Sequence, residues 1–128
     1  MRGLLLDTHA FFWSALYPDR LSAAARSAIE HDDLFVSAVT GYELAQKFRL
    51  GRMPDALPLV DSFSDAVRGL LATHLPVTDH HAVRAGLLDW SHRDPFDRIL
   101  AAQALAEDLV LASRDRAMTT APGVTVLW

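Results

Sequence analysis

The sequence predicts an α/β fold, a doubly wound and mainly parallel five-strand sheet flanked by helices. The first observation behind this prediction is that short apolar runs alternate along the chain with longer amphipathic segments. The second is that the runs are continuously apolar, which is typical of parallel strands covered on both faces. The predicted strands are residues 3–6, 34–38, 75–77, 109–113 and 124–128.

Helices are predicted between these strands, at residues 10–17, 21–29, 40–50, 59–73, 80–90 and 96–107. Ser22 is a typical N-cap, and Gly51 is typical of the residue just beyond a helix end. In the fifth helix, Val83, Leu87 and Trp90 are spaced as one apolar stripe, which predicts that they face the core.

Length, composition and charge restrict the possible functions. The 128 residues fit one domain, predicted to span residues 1–128. The absence of cysteine excludes disulfide scaffolds, thiol catalysis and thiolate metal sites. Stretches without a charged residue, such as residues 8–18, are too short to span a bilayer, so we expect a cytoplasmic protein with no membrane partner. The net charge of −4 does not favour nucleic-acid binding, although eleven of the twelve basic residues are arginines, which suit phosphate.

Four acidic residues stand just beyond a predicted strand or near the start of the following helix: Asp7, Glu43, Asp97 and Asp115. Local interpretations exist, because Asp7 and Asp115 can cap helical turns and Glu43 can pair with Lys47 one turn later. However, the carboxyl ends of parallel strands lie at one edge of a sheet. The four carboxylates are therefore predicted to converge.

The segment from His92 to Arg98 contains two of the acids in question. Asp94 is a suitable N-cap, and Pro95 suits the first helical position. Asp97 falls in the first turn, where the helix dipole favours negative charge. Since one cap is sufficient, the Asp97 carboxylate is the one left for another role.

Converging carboxylates raise each other's pKa values unless a cation lies between them. Oxygen ligands without cysteine favour Mg²⁺ or Mn²⁺ over zinc. An ion of this kind activates water and neutralises charge on a phosphodiester. The acidic edge therefore predicts metal-dependent chemistry on a phosphodiester.

In the segments that carry these acids, the chain resembles the PIN-domain family, specifically its VapC-like toxins. The resemblance covers almost the whole chain and rests on the segments LLLDTHAFFW (residues 4–13), SAVTGYELAQKFRLGR (37–52), HRDPFDRILAAQAL (92–105) and LASRD (111–115). It implies an endoribonuclease that cleaves RNA with Mg²⁺- or Mn²⁺-activated water, a homodimer, and a cognate antitoxin protein as partner. The aromatic-rich helix at residues 10–17 is more apolar than one buried face requires, which also favours a dimer.

The resemblance assigns roles to individual residues. It implies that the catalytic and metal-binding acids are Asp7, Glu43, Asp97 and Asp115. Three further residues are predicted to support these ligands or to replace one of them: Thr8, Asp94 and Ser113.

Basic and histidine side chains near the acidic edge have two interpretations each. Lys47, Arg49 and Arg52 are interpreted as contacts to RNA phosphates, and the alternative is a solvated helix end. His9 and His92 are expected near the acids, either with a role in the site or with structural polar contacts.

Three alternative functions stay open at this level. A receiver-type phosphoacceptor domain would share the carboxylate–Mg²⁺ site, but it requires paired acids after the first strand and a lysine after the last. Asp7 stands alone, and Lys47 is the only lysine. A phosphatase with an aspartate nucleophile requires Asp-x-Asp, which the sequence Asp7-Thr8-His9 does not provide. A catalytically inactive PIN-type binding module is the third alternative.

Overall fold

The computed structural model describes residues 2–128, which alternate between strands and helices. The strands are β1 (Leu4–Leu6), β2 (Leu34–Ser37), β3 (Thr73–Leu75), β4 (Val110–Ala112) and β5 (Val126–Leu127). The helices are α1 (Thr8–Leu16), α2 (Ala23–His31), α3 (Ala38–Arg49), α4 (Leu57–Asp61), α5 (Phe63–Gly69), α6 (Asp79–Leu87) and α7 (Pro95–Ala106). Among residues 2–128, no helix has the length and apolar character that a membrane crossing requires.

The five strands form one sheet in the order β3-β2-β1-β4-β5, and every pairing is parallel. The predicted fold class is therefore confirmed. Because successive side chains of a strand point to opposite faces, the central strand β1 divides the core in two. Leu4 and Leu6 pack with Phe11 of α1, whereas Leu5 packs on the other face with Leu100 of α7.

The order of the strands reverses between β1 and β4, which creates a crevice at the carboxyl ends of these two strands. Ligands of open α/β sheets bind at such a reversal. Asp7 directly follows β1 and Ser113 directly follows β4. Receiver-type domains have the order 2-1-3-4-5 instead, so the receiver alternative does not match this fold.

Helix ends follow the local signals of the sequence. The Ser22 hydroxyl accepts a hydrogen bond from the Ala25 amide at 3.0 Å and caps α2, as predicted. Gly51 follows α3 with a φ of 75°, in the left-handed region that glycine adopts without strain.

The segment between β2 and β3 differs from its prediction. The single helix expected at residues 59–73 is divided into α4 and α5. Ser62, between them, has a φ of −135° and a ψ of 53°, which no α-helical residue adopts. The third strand begins at Thr73 and ends at Leu75, so the strand predicted at residues 75–77 lies two residues too far along the chain.

Helix α6 presents the face opposite to the predicted one. It buries His81 and Ala85, whereas Val83 and Leu87 are 62% and 78% exposed. Two residues along an α-helix correspond to a rotation of about 200°, so these two pairs lie on opposite faces. The prediction that the apolar stripe faces the core was therefore wrong for Val83 and Leu87, whereas Trp90 lies beyond the end of α6 and packs against the core.

Candidate active site

A cavity of about 130 Å³ lies at the carboxyl edge of the sheet. Its walls come from the junction of β1 and α1, from α3, from the segment that begins α7, and from the turn after β4. The structure brings all four predicted acids into its lining, together with two of the three predicted supporting residues. The lining consists of Asp7, Thr8, His9, Glu43, Lys47, Asp94, Asp97 and Asp115.

Asp7 is held at the start of α1 and almost fully buried, with 8% exposure. Its Oδ1 accepts a hydrogen bond from the Ala10 amide at 2.8 Å, so the carboxylate also serves as the helix cap. Burial raises the pKa of Asp7 to about 6; the Ser113 hydroxyl and the Ala10 amide lower it, and Glu43 and Asp115 raise it further. A cation in the cavity would oppose both the desolvation and the repulsion.

Glu43 is buried on α3 and has partners on both carboxylate oxygens. The Thr8 hydroxyl donates to Oε1 at 2.5 Å, and the Lys47 ammonium lies 2.7 Å from Oε2. The pair with Lys47, considered above as the local alternative, is thus present inside the cavity. Lys47 neutralises the carboxylate that stands beside Asp7 while Thr8 fixes its orientation.

Asp97 has a histidine partner that the sequence placed near the site without specifying a contact. The distance from His92 Nε2 to Asp97 Oδ2 is 2.7 Å. Burial raises the pKa of Asp97 to about 6, and the hydrogen bond from His92 lowers it while Asp94 and Glu43 raise it. His92 therefore compensates Asp97 as Lys47 compensates Glu43.

Arg98 organises the loop that carries His92, a role that sequence analysis missed. Its guanidinium donates to the backbone carbonyls of Ala85, Leu88, Trp90 and His92 at 2.7 to 3.0 Å. These bonds tie the loop between α6 and α7 to the first turn of α7. No local signal predicts them, because the carbonyls lie 6 to 13 residues before Arg98.

The ring of Trp90 supports His92 from the side. The two ring centroids are 4.8 Å apart, and the Trp90 indole N–H donates to the Thr120 hydroxyl at 2.8 Å. The loop is thereby attached to the turn that follows β4. The orientation of His92 towards Asp97 depends on these contacts from distant parts of the chain.

Asp94 and Asp115 both act as caps at the margin of the cavity. Asp94 Oδ1 accepts from the amides of Phe96 and Asp97 at 2.9 and 3.2 Å, which confirms the predicted N-cap of α7. Asp115 Oδ1 accepts from the Ala117 amide at 2.9 Å and begins a 3₁₀ turn.

Ser113 connects this turn to the buried acid. Its hydroxyl accepts from the Asp115 amide at 3.1 Å and is the side-chain hydrogen-bond partner that lowers the pKa of Asp7. Ser113 is buried, although it does not belong to the cavity lining. Ser113 therefore lies between Asp7 and Asp115, and its supporting role in the site stays a prediction.

The predicted RNA contacts on α3 fall into two groups. Lys47 is engaged by Glu43 inside the cavity. Arg49 and Arg52 are exposed and outside its lining. His9 does line the cavity, and its pKa is lowered by desolvation first and by the Lys47 ammonium second.

The donor set suits a hard divalent cation, because its charged ligands are carboxylate oxygens and no cysteine is present. Within residues 2–128, no three Asp, Glu or His side chains are close enough together to enclose an ion as they stand. The carboxylates thus share a cavity without forming a closed coordination shell.

Comparison with known proteins shows similarity over nearly the whole chain. A family model described as PIN domain matches residues 4–123. Over 121 residues the chain is 36% identical to Ribonuclease VapC22 of Mycobacterium tuberculosis, and the match covers 91% of this chain and 89% of that protein. The range matched by the family model spans Asp7, Glu43, Asp97 and Asp115.

Solved structures of low sequence identity share the fold. FitAcB from Neisseria gonorrhoeae is 22% identical with a TM-score of 0.68, covering 98% of this chain and 96% of that chain. VapBC2 from Rickettsia felis, bound to a DNA fragment from their promoter, is 10% identical with a TM-score of 0.65, covering 97% and 96%. A toxin–antitoxin complex from Klebsiella pneumoniae is 17% identical with a TM-score of 0.62, covering 98% and 97%. The family model and the VapC22 match span nearly the whole chain, and the chain therefore belongs to the PIN-domain family, as its VapC-like segments predicted.

Proposed function

We propose that this chain is a Mg²⁺- or Mn²⁺-dependent endoribonuclease and the toxin of a toxin–antitoxin pair. The observation that carries the proposal is the cavity at the strand reversal, lined by Asp7, Glu43, Asp97 and Asp115. The 36% identity to a protein named as a ribonuclease supports RNA as the substrate.

The proposed ligands of the metal are these four carboxylates, with Asp94 as an alternate ligand. When bound, the ion supplies activation of water and neutralisation of charge on the phosphodiester. The chain's own residues hold the acids in place: Thr8 and Lys47 fix Glu43, His92 fixes Asp97, and the α1 amide fixes Asp7. Water is the nucleophile in this proposal, because the sequence has no cysteine and no Ser–His–acid arrangement.

The test is incubation of labelled single-stranded RNA with the purified protein in EDTA, in Mg²⁺ and in Mn²⁺. We expect internal cleavage with at least one of the two metals and none in EDTA. A matched single-stranded DNA of the same sequence measures the preference for RNA. Cleavage that persists in EDTA would contradict the metal-dependent mechanism, and intact RNA with both metals would contradict the nuclease assignment.

An antitoxin partner is proposed because a protein of similar fold is found in a toxin–antitoxin complex. The partner would be a protein whose segment covers the acidic cavity. If a short gene lies upstream of the gene for this chain, co-expression with its product should yield a stable complex that no longer cleaves RNA. Full activity of such a complex would contradict this part of the proposal.

A homodimer is also proposed, but the aromatic helix does not support it as expected. The side chains of Phe11, Phe12 and Trp13 are buried within the single chain. They pack in its own core and are not available to a second subunit. Exposed Val83 and Leu87 on α6 are a better candidate surface for self-association. Light scattering at micromolar concentration should give the mass of a dimer, and a monomer would contradict it.

A further inference from the structure

A second cavity, of about 580 Å³, adjoins the acidic one and has a different chemical character. The two cavities share Asp7, His9 and Asp115, so an occupant of one is next to an occupant of the other. The remaining lining of the larger cavity is aromatic and basic: Trp13, Arg114 and Arg116.

The aromatic wall of this cavity rests on a cluster of three mutually tilted rings and one guanidinium. The His9 and Trp13 ring centroids are 5.3 Å apart, and Trp128 supports Trp13 from within at 5.7 Å. The Arg114 guanidinium carbon lies 5.7 Å from the Trp13 centroid, which places a cationic group against the ring. His9 and Arg114 are the exposed members, whereas Trp13 is 8% exposed and serves as their support.

The basic residues of the cavity are available to an anion. Within residues 2–128, neither Arg114 nor Arg116 forms an ion pair with a carboxylate, in contrast to Lys47 in the acidic cavity. Both are exposed and precede or begin the 3₁₀ turn that Asp115 caps. Guanidinium groups bind phosphate with two parallel hydrogen bonds.

We propose that this cavity binds the nucleotide of single-stranded RNA that lies next to the cleaved phosphodiester. The proposal rests on the ribonuclease function and names a substrate subsite for it. The base stacks on the surface formed by His9 and Arg114, and Arg114 and Arg116 hold its phosphate. Unpaired bases are recognised by stacking on aromatic rings and on arginine planes, and a volume of about 580 Å³ lies within the range of small-ligand sites.

The subsite is tested by RNA binding in an Asp97→Asn background, because Asp97 does not line this cavity and its loss should prevent cleavage. The probe is a fluorescein-labelled, unstructured 12-nucleotide RNA in Mg²⁺, titrated by fluorescence anisotropy at several salt concentrations. The added variants are His9→Ala, Arg114→Ala and Arg116→Ala, and thermal melts confirm that each is folded. Trp13 is left unchanged because it is part of the core.

We expect Arg114→Ala to raise the Kd about tenfold and to lower the salt dependence by about one counterion, since it removes both a stacking surface and a phosphate contact. Arg116→Ala should lower the salt dependence by about one counterion with a smaller loss of affinity. His9→Ala should weaken binding without changing the salt dependence. The matched control is Arg2→Ala, which removes the same charge from the opposite edge of the sheet and should change neither quantity.

The outcomes separate this subsite from the proposed function. If the Asp97→Asn parent does not bind RNA, both the subsite and the ribonuclease proposal fail. If the parent binds RNA and the His9, Arg114 and Arg116 variants bind it as tightly, the subsite assignment alone fails, and the cavity is left to another occupant such as a protein segment. Weakening by Arg2→Ala equal to that by Arg114→Ala would show a general charge effect and would also overturn the subsite.

Discussion

The two edges of the sheet both contain acidic residues next to strands, but these residues differ in how far they are exposed. At the carboxyl edge, Asp7 and Glu43 are 8% and 7% exposed and line the acidic cavity. At the amino edge, a cavity of about 400 Å³ is lined by Glu107 and Asp108, whose side chains are 43% and 81% exposed. Proximity to a strand is therefore common to both edges, but the burial of Asp7 and Glu43 has no counterpart in Glu107 and Asp108.

The direction of the helices explains this difference. In a parallel sheet with helical crossovers, helices begin at the carboxyl edge, so their unpaired amides point towards it. Asp7 and Asp94 accept amides at the starts of α1 and α7, and the helix starts enclose the acids. At the amino edge helices end, and Asp108 follows the end of α7 with a φ of 53° and pairs with exposed Arg2 at 3.6 Å. Buried acids therefore collect where amides and cations can compensate them.

The largest expected effect is the loss of RNA cleavage when a carboxylate charge is removed at the carboxyl edge. The same removal at the amino edge should have no such effect. Asp7→Asn keeps the shape and the helix cap but removes a proposed ligand, so RNA cleavage should fall by more than about 100-fold. Asp108→Asn makes the same chemical change at the amino edge and should leave cleavage near the wild-type rate. Initial rates on labelled RNA measure both. Equal rates for Asp7→Asn and wild type would remove Asp7 from the ligand set.

The next effect separates two acids within the carboxyl edge. Asp97→Asn should abolish cleavage, because it removes a proposed ligand, and it should not lower the Tm, because it also removes a carboxylate whose pKa burial raises. Asp94→Ala should reduce activity only in part and lower the Tm by several degrees, since loss of a cap costs about 0.5–2 kcal/mol. Thermal melts and cleavage assays on both variants decide between them. An inactive, fully stable Asp94→Ala together with an active Asp97→Asn would reverse the two assignments.

A smaller effect is expected on the pH dependence of the stability of the metal-free protein. The Asp7 carboxyl has an ordinary pKa of 3.8 and a folded-state pKa of about 6, so the folded protein retains this proton to higher pH than the unfolded chain. Its ionisation should therefore destabilise the fold as the pH rises from about 4 to 6, with the full loss, up to about 3 kcal/mol, present above 6.

This stability effect is measured by thermal melts in EDTA between pH 4 and pH 8. Asp7→Asn carries no charge, so its Tm should exceed that of wild type at pH 8 by several degrees, and the difference should disappear towards pH 4. Added Mg²⁺ should raise the Tm of wild type more than that of the variant. A difference in Tm that is constant across this pH range would contradict the role of burial.

The smallest effect is expected at the amino edge. Arg2→Ala removes an ion pair between two largely exposed side chains, which contributes at most about 1 kcal/mol. The Tm should change by no more than a few degrees, and RNA cleavage should be unchanged. A loss of activity on this substitution would mean that the amino edge has a function beyond the fold.

Local physical chemistry was sufficient to predict the caps and the identity of the acids. The partners of Ser22, Asp94 and Asp115 lie within three residues of them, so the sequence alone specifies these contacts. The continuous apolar runs likewise predicted parallel strands, and parallel strands imply a common edge for the acids that follow them. The fold class and the candidate site were therefore accessible before the structure.

Tertiary structure decided which side chains compensate those acids and which helix faces are buried. Thr8 reaches Glu43 across 35 residues, and Arg98 binds carbonyls up to 13 residues away. Such contacts depend on how helices pack on the sheet, and no periodicity within one segment encodes them. The exposed stripe of α6 has the same origin, because buried His81 and Ala85, and not the more apolar Val83 and Leu87, face the neighbouring helix α7.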